Sequence, residues 1–242
     1  MKRIGILYIA TGPYIAFWKD FFESFEEFFL KTMVVHYYVF TDAVDIYASD
    51  CNRVHIINQK AEPWPLPTLL KFHRFLEIKD KLLQNDFVYQ PNANILCVKP
   101  VTEEDFLPRQ EHGESLLFTI HPGYMNTCRI KKPFERRIGY GARVPYHKNA
   151  TYVFGAMNGG RTDKYLEFIQ KLDEQLIQEL KHNRIAKWHD ESWINKGIVD
   201  RSDYRLLHPG FCYPVGFEVP YEKYIIGVSK NEVFDVKTFK GL

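Results

Sequence analysis

Ile4 to Ile9 is an unbroken apolar run, the pattern of a strand buried on both faces. Thr11-Gly12-Pro13 interrupts it. Apolar residues then recur at Phe17, Phe21, Phe25 and Phe28, which predicts an amphipathic helix from Tyr14 to Lys31. Val34 to Phe40 reads as a second strand, ending at Thr41-Asp42. Strand, helix and strand in succession imply a right-handed βαβ unit, and ligands of such sheets bind beyond the carboxyl ends of the strands. The predicted ligand rim is therefore residues 9–14 with 41–42. Neither loop carries GxGxxG or a P-loop, so phosphate cradling by a Gly-rich turn is not expected.

The pattern continues with a strand at Val54–Ile57, a rigid Trp64-Pro65-Leu66-Pro67 connection, and a helix capped by Thr68 and running to about Leu83. Short strands follow at Phe87–Tyr89 and Ile95–Val98, separated by Pro91-Asn92-Ala93-Asn94, and another at Leu116–Ile120. Residues 125–150 have little periodicity and many polar and basic side chains, as functional loops do. Thr151–Phe154 reads as a strand, Gly155 to Gly160 as a tight Gly-rich turn, Thr162 to about His182 as an amphipathic helix, and Tyr204–Leu207 as a last short strand. There is no repeat and no linker.

Composition narrows the class. The chain has 242 residues, 45% apolar and 16% aromatic, enough to bury a large core. Net charge is +2, with Lys and Arg distributed along the chain, which argues against a duplex nucleic-acid binder. Cys51, Cys97, Cys128 and Cys212 show no CxxC spacing and fit a reducing compartment. No stretch approaches ~18 consecutive apolar residues, and the first apolar run is too short for a signal h-region.

The densest chemistry lies in Trp188-His189-Asp190-Glu191-Ser192-Trp193-Ile194-Asn195-Lys196. A carboxylate beside tryptophan is partly desolvated and can serve as a nucleophile or a base of altered pKa. The same residues also read as the start of an amphipathic helix with Asp190 near its N-terminal end.

That stretch resembles the Trp-His-Asp-Glu-Ser-x-x-Asn-Lys signature of glycosyltransferase family 6, the family of the histo-blood-group transferases and α-1,3-galactosyltransferases. Tyr37-Tyr38-Val39-Phe40-Thr41-Asp42, His121-Pro122-Gly123-Tyr124, Glu135-Arg136-Arg137 and Tyr152 to Gly160 match further family motifs in the right order, over roughly residues 4–230. The resemblance implies an α/β protein with the GT-A glycosyltransferase fold, a Rossmann-like mixed sheet with flanking helices. It implies one catalytic domain over 1–242, with a UDP-binding half at about 1–100 and an acceptor and donor-sugar half at about 101–230; the lysine-bearing end, 231–242, has little apolar pattern and reads as a mobile tail. The implied reaction transfers galactose or N-acetylgalactosamine from a UDP-sugar to the 3-hydroxyl of a galactose, with retention. The implied acceptor is a fucosylated, H-antigen-type oligosaccharide.

Most GT-A enzymes place Asp-x-Asp where this chain has Asn92-Ala93-Asn94. Neutral asparagines are poorer ligands for a hard cation, so the expectation is catalysis with no cofactor; the alternative is Mn²⁺ held through Asn94 and the phosphates. By resemblance, Lys71 and Lys230 would face the diphosphate in the metal's place. Glu191 matches the candidate nucleophile, acting by double displacement or by stabilising an oxocarbenium-like centre on one face. Asp190 would bind donor-sugar hydroxyls. His121 and Trp188 match acceptor positions, and Ile9, Thr11 and Tyr14 match the uridine pocket. Phe154-Gly155-Ala156 matches the triplet that tunes donor choice; the Ala156 methyl should crowd a 2-acetamido group and so favours galactose, although family members with alanine here accept the acetamido sugar. A second alternative is a UDP-sugar or glycan-binding protein without turnover. The expected location is cytoplasmic, soluble or peripherally membrane-associated, in a bacterium, with no nucleic-acid partner and no membrane span.

Overall fold

The computed structural model describes residues 1–148 and 150–241. The apolar runs form strands where the pattern places them: β1 (Arg3–Ile9), β2 (Val34–Thr41) and β3 (Val54–Asn58), mutually parallel. Between β1 and β2 the chain makes a 3-10 segment, Gly12–Phe17, and then α1 (Trp18–Phe28). The expected helix from Tyr14 to Lys31 is therefore shorter, because Phe29 turns extended and Leu30 takes a positive φ of 43°. Trp18, Phe21 and Phe25 bury the helix stripe against Tyr8 and Tyr37 of the sheet.

The single helix expected after Thr68 is three short ones: α2 (Leu66–Leu69), α3 (Lys71–Glu77) and α4 (Lys79–Leu82). Thr68 lies inside α2, its hydroxyl donating to the Pro65 carbonyl at 2.9 Å rather than capping. The breaks at Leu70 and Ile78 leave Lys71, Phe72 and Phe75 all buried, and that tertiary demand overrides continuous helix propensity.

β4 (Phe87–Gln90) pairs parallel with β1. β5 (Ile95–Cys97) leaves the main sheet and pairs with a strand near the C-terminus. After α5 (Glu103–Phe106) come β6 (Leu116–Ile120) and β7 (Val153–Arg161). β7 overturns the expected turn at Gly155–Gly160, since the glycines are strand. Gly159 meets β4 so closely that a Cβ would lie 2.1 Å from the Val88 carbonyl oxygen. These glycines mark close backbone approach rather than a change of direction. α6 (Thr162–Lys181) and α7 (His189–Ile198) follow, then β8 (Tyr204–Leu207), β9 (Ile225–Gly227) and α8 (Val236–Lys240).

The seven-stranded sheet runs β3-β2-β1-β4-β7-β6-β8, with β7 antiparallel to both neighbours, and β5-β9 form a second small sheet. This mixed sheet flanked by helices is a GT-A-like fold. One apolar layer packs under α1 and a second under α3, α6 and α7. The C-terminal segment expected to be a mobile tail carries a 3-10 turn at Lys230–Glu232 and α8, capped by Asp235; Leu242 lies outside the described residues. Among the described residues, no helix is long and apolar enough to cross a membrane.

Candidate active site

The carboxyl ends of β1 and β2 are tied together before any ligand arrives. The Thr41 hydroxyl donates to the Ala10 carbonyl, and the Gly12 amide donates to the Asp42 carboxylate, each at 2.8 Å. Ile9, Thr11 and Tyr14 stand on this rim and line a cavity, as the βαβ reading expects. Tyr14 is covered from the C-terminal side. Phe234 meets its ring edge-on at 5.0 Å, and the Lys230 ammonium sits 5.1 Å from its centroid.

The opposite wall is built by β7 and the first turn of α7. Trp188-His189-Asp190-Glu191 bends into α7 through His189, whose φ of 49° is a left-handed conformation that costs an L-residue about 1–2 kcal/mol. Its ring packs edge-on against Trp64 at 5.2 Å, so the bend is held from the α2 side. Asn195 fastens the helix to β7. Its amide oxygen accepts from the Val153 N–H at 3.0 Å, and its nitrogen donates to the Val153 and Glu191 carbonyls at 2.9 Å each.

This anchoring brings Glu191 over β7. One carboxylate oxygen accepts from the Tyr152 hydroxyl at 2.6 Å and the other from the Gly155 amide at 2.8 Å. Burial pushes the carboxyl up to about 7 and the neighbouring Asp190 charge adds to this, while the Tyr152 and Gly155 hydrogen bonds and Lys71 pull the other way. Burial and the Glu191 charge raise the Tyr152 phenol, so it stays protonated and donates.

Lys71 stands in the cavity lining with its ammonium surrounded by acceptors. Its ammonium is 2.5 Å from Asp190 Oδ2, 2.7 Å from the Gly155 carbonyl and 2.9 Å from Gln90 Oε1. Three protons meet three acceptors, with Lys71 only 5% exposed. Lys71 thereby binds α7, β7 and β4 together. Behind it, Asn158 donates to the same Gly155 carbonyl at 3.0 Å and accepts from the Tyr165 hydroxyl at 2.7 Å.

Phe154, Gly155, Ala156, Asp190 and Glu191 line the cavity with Trp188 and Lys230, and so does Asn92. Asn94 and His121 stand outside its lining. The Asn94 side-chain amide donates to the Val228 carbonyl at 2.6 Å and the Asn94 backbone carbonyl accepts from the Val228 N–H at 2.9 Å, pinning the chain two residues before Lys230. The His121 ring packs edge-on against Phe154 at 5.2 Å. Burial lowers His121 to about 4, so it is neutral; its Nδ1 accepts from the Gly123 amide, which leaves the proton on Nε2. Sequence reading named neither Gln90 nor Asn158, and gave Tyr152 and Asn195 no role of their own; nothing in the linear pattern distinguishes them from core polar residues.

The carboxylates that line the site are already engaged. The Asn-x-Asn segment contributes no carboxylate, Asp190 is paired with Lys71, and Glu191 is held by two donors. Among the described residues, no three His, Cys, Asp or Glu side chains gather.

Residues 2–232 match the profile of glycosyltransferase family 6. The chain is 40% identical over 192 residues to the O-antigen biosynthesis glycosyltransferase WbnI of Escherichia coli, covering 79% of this chain and 80% of that protein. It is 26% identical over 219 residues to the globoside alpha-1,3-N-acetylgalactosaminyltransferase 1 of Mus musculus, covering 87% of this chain and 60% of that one. The histo-blood group ABO system transferase 2 of Rattus norvegicus is 23% identical over 219 residues, 87% of this chain and 63% of its own. A profile match over nearly the whole chain, on a GT-A-like sheet with the signature helix at its cavity, shows that the protein belongs to glycosyltransferase family 6.

Proposed function

We propose that the protein is a retaining α-1,3-glycosyltransferase that moves a galactose-type sugar from a UDP-sugar to the 3-hydroxyl of a fucosylated galactose, without a metal ion. The observation that carries this reading is the Glu191 carboxylate, fixed by Tyr152 and Gly155 against the cavity and next to Asp190. Uridine sits at Ile9, Thr11 and Tyr14, the diphosphate near Lys230, and the sugar between Ala156 and Asp190. Glu191 faces the anomeric carbon, as nucleophile or as the charge that stabilises an oxocarbenium-like centre. Trp188 offers an aromatic face for the apolar side of the acceptor ring, with His121 supporting Phe154 from behind.

Lys71 acts as counter-ion to Asp190, orienting that carboxylate toward donor hydroxyls. Lys230 is the cation placed to offset charge on the leaving UDP. Ala156 is 6% exposed at the cavity wall, so its methyl competes with a 2-acetamido group. One methyl is worth about 1–3 kcal/mol in such a pocket, so galactose is favoured by a modest factor.

UDP release from UDP-galactose and from UDP-N-acetylgalactosamine, with a fucosyl-galactose acceptor in excess EDTA, tests the proposal. Turnover in EDTA with the α-anomeric product supports it. Turnover that appears only when Mn²⁺ is added overturns the metal-free part. Binding without hydrolysis or transfer overturns the enzymatic reading of this chain.

A further inference from the structure

Residues 125–148 hold seven Lys or Arg against a single acidic residue, Glu135, whereas the whole chain carries only +2. The remainder of the chain is therefore net acidic. The sole acidic residue of the segment offsets one cation, Arg137, and Asp200 pairs with Lys148, which leaves five cations of the segment without a carboxylate partner among the described residues. Glu135 is 1% exposed and accepts from the Arg137 side chain and from the Lys187 amide at 2.8 Å. Burial alone would raise its carboxyl, but these donors hold it down at about 2.

The loop is built, not frayed. Arg136 stacks over Tyr146 at 4.4 Å and donates to the Val144 and Arg129 carbonyls. Arg137 covers Tyr140 at 3.8 Å and donates to the Ile185 carbonyl. These bonds, with the Lys187 amide on Glu135, join the basic loop to residues 185–187, next in sequence to Trp188, which lines the cavity and is partly exposed.

Aliphatic side chains stand out of this surface. Ile138 is 85% exposed beside Arg137, and Ile130 is 69% exposed between Arg129 and Lys131. Tyr146 and Trp188 are also exposed. Isolated exposed apolar residues need no explanation, but exposed aliphatics flanked by cations within one basic loop match what an anionic lipid surface requires. The cations meet the headgroups and the isoleucines enter the acyl boundary.

We infer that this face docks on an anionic membrane, with the cavity mouth at Trp188 turned toward the lipid surface. The acidic remainder of the molecule is repelled by the same surface, so the charge asymmetry sets the orientation as well as the affinity. A glycan acceptor carried on a lipid would then reach the cavity along the surface. The inference does not depend on which donor or acceptor sugar the enzyme uses.

Cosedimentation of the full chain with vesicles tests it. The protein should pellet with vesicles of equal parts phosphatidylcholine and phosphatidylglycerol and stay in solution with phosphatidylcholine alone, and added salt should release it. Each cation at such a surface contributes roughly fivefold in partitioning, so Arg129→Glu with Lys131→Glu should weaken binding by more than tenfold. Ile138→Asn should weaken it several-fold with no change in charge. All variants should melt as the parent does and keep its turnover on a free oligosaccharide acceptor. Equal binding to both vesicle types, or parental binding by the charge-reversed variant, would overturn the inference. Binding that is unchanged in Ile138→Asn and equally strong on soluble heparin would also overturn it, and would mark a general polyanion site.

Discussion

The Gly155 amide donates to Glu191 at 2.8 Å, and the space where a Gly155 side chain would stand is occupied by Glu191 itself. A Cβ on Gly155 would lie 2.6 Å from the Glu191 Cβ, 3.0 Å from its Cα and 3.2 Å from Asp190 Oδ2. The first turn of α7 and the strand thus fit each other only through a residue without a side chain.

Gly155→Ala should therefore push α7 off β7. The closest contacts are to the Glu191 Cβ and Cα, which no rotamer change moves. We expect a stability loss of about 1–3 kcal/mol. The carboxylate also leaves its position, and displacements of about 1 Å at a reacting group cost on the order of 100-fold in rate. Thermal melting and kcat measured together check this; a variant that melts lower yet turns over normally would separate Glu191 from the chemistry.

Glu191 titrates near 7 because burial opposes its charge, and the ionised form is the one proposed to react. Turnover should accordingly rise as pH increases through about 7. Tyr152→Phe removes a hydrogen bond that favours the carboxylate, so the acid limb of the profile should move to higher pH. An acid limb at the same pH in both proteins would contradict this.

The same shift bears on stability with a definite sign. The folded carboxyl holds its proton more tightly than the unfolded one, whose ordinary value is 4.5. Between that value and about 7 the native state binds more protons, so this group lowers stability as pH rises across the window. Glu191→Gln should raise the melting temperature at pH above 7 and change it little near pH 4, as scanning calorimetry at the two pH values can show.

Lys71 and Asp190 form a buried pair 2.5 Å apart. Lys71→Met leaves a buried carboxylate without its partner, which costs about 3–5 kcal/mol. Adding Asp190→Asn removes that charge, so the double variant should recover much of the lost stability while remaining inactive. Lack of recovery in the double variant, read by denaturant unfolding, would mean that the pair does not act as a unit.

Much of this architecture is legible in the chain. β1 and β2 are mostly apolar because both faces are covered, and the signature stretch is rich enough to point at the cavity wall. What misled the reading was glycine. Gly155, Gly159 and Gly160 spell a turn locally, yet they serve close contacts to α7, to Val88 and to Ser115 that exist only in three dimensions. Lys71 was legible as a site residue but not as a saturated one, because its acceptors come from three distant segments. Asn94 illustrates the converse: its place in an Asn-x-Asn motif suggested the diphosphate, and its amide holds Val228 instead. Tyr152 and Asn195 act only through the partners that folding brings to them.

The most direct measurement compares wild type with Glu191→Gln for donor affinity and for turnover. The amide keeps the shape and both hydrogen bonds, since the Tyr152 hydroxyl can turn to accept. If Glu191 supplies the reacting or stabilising carboxylate, UDP-sugar affinity should stay within a few-fold while kcat falls by on the order of 1,000-fold or more. Turnover by Glu191→Gln close to that of wild type would contradict the account.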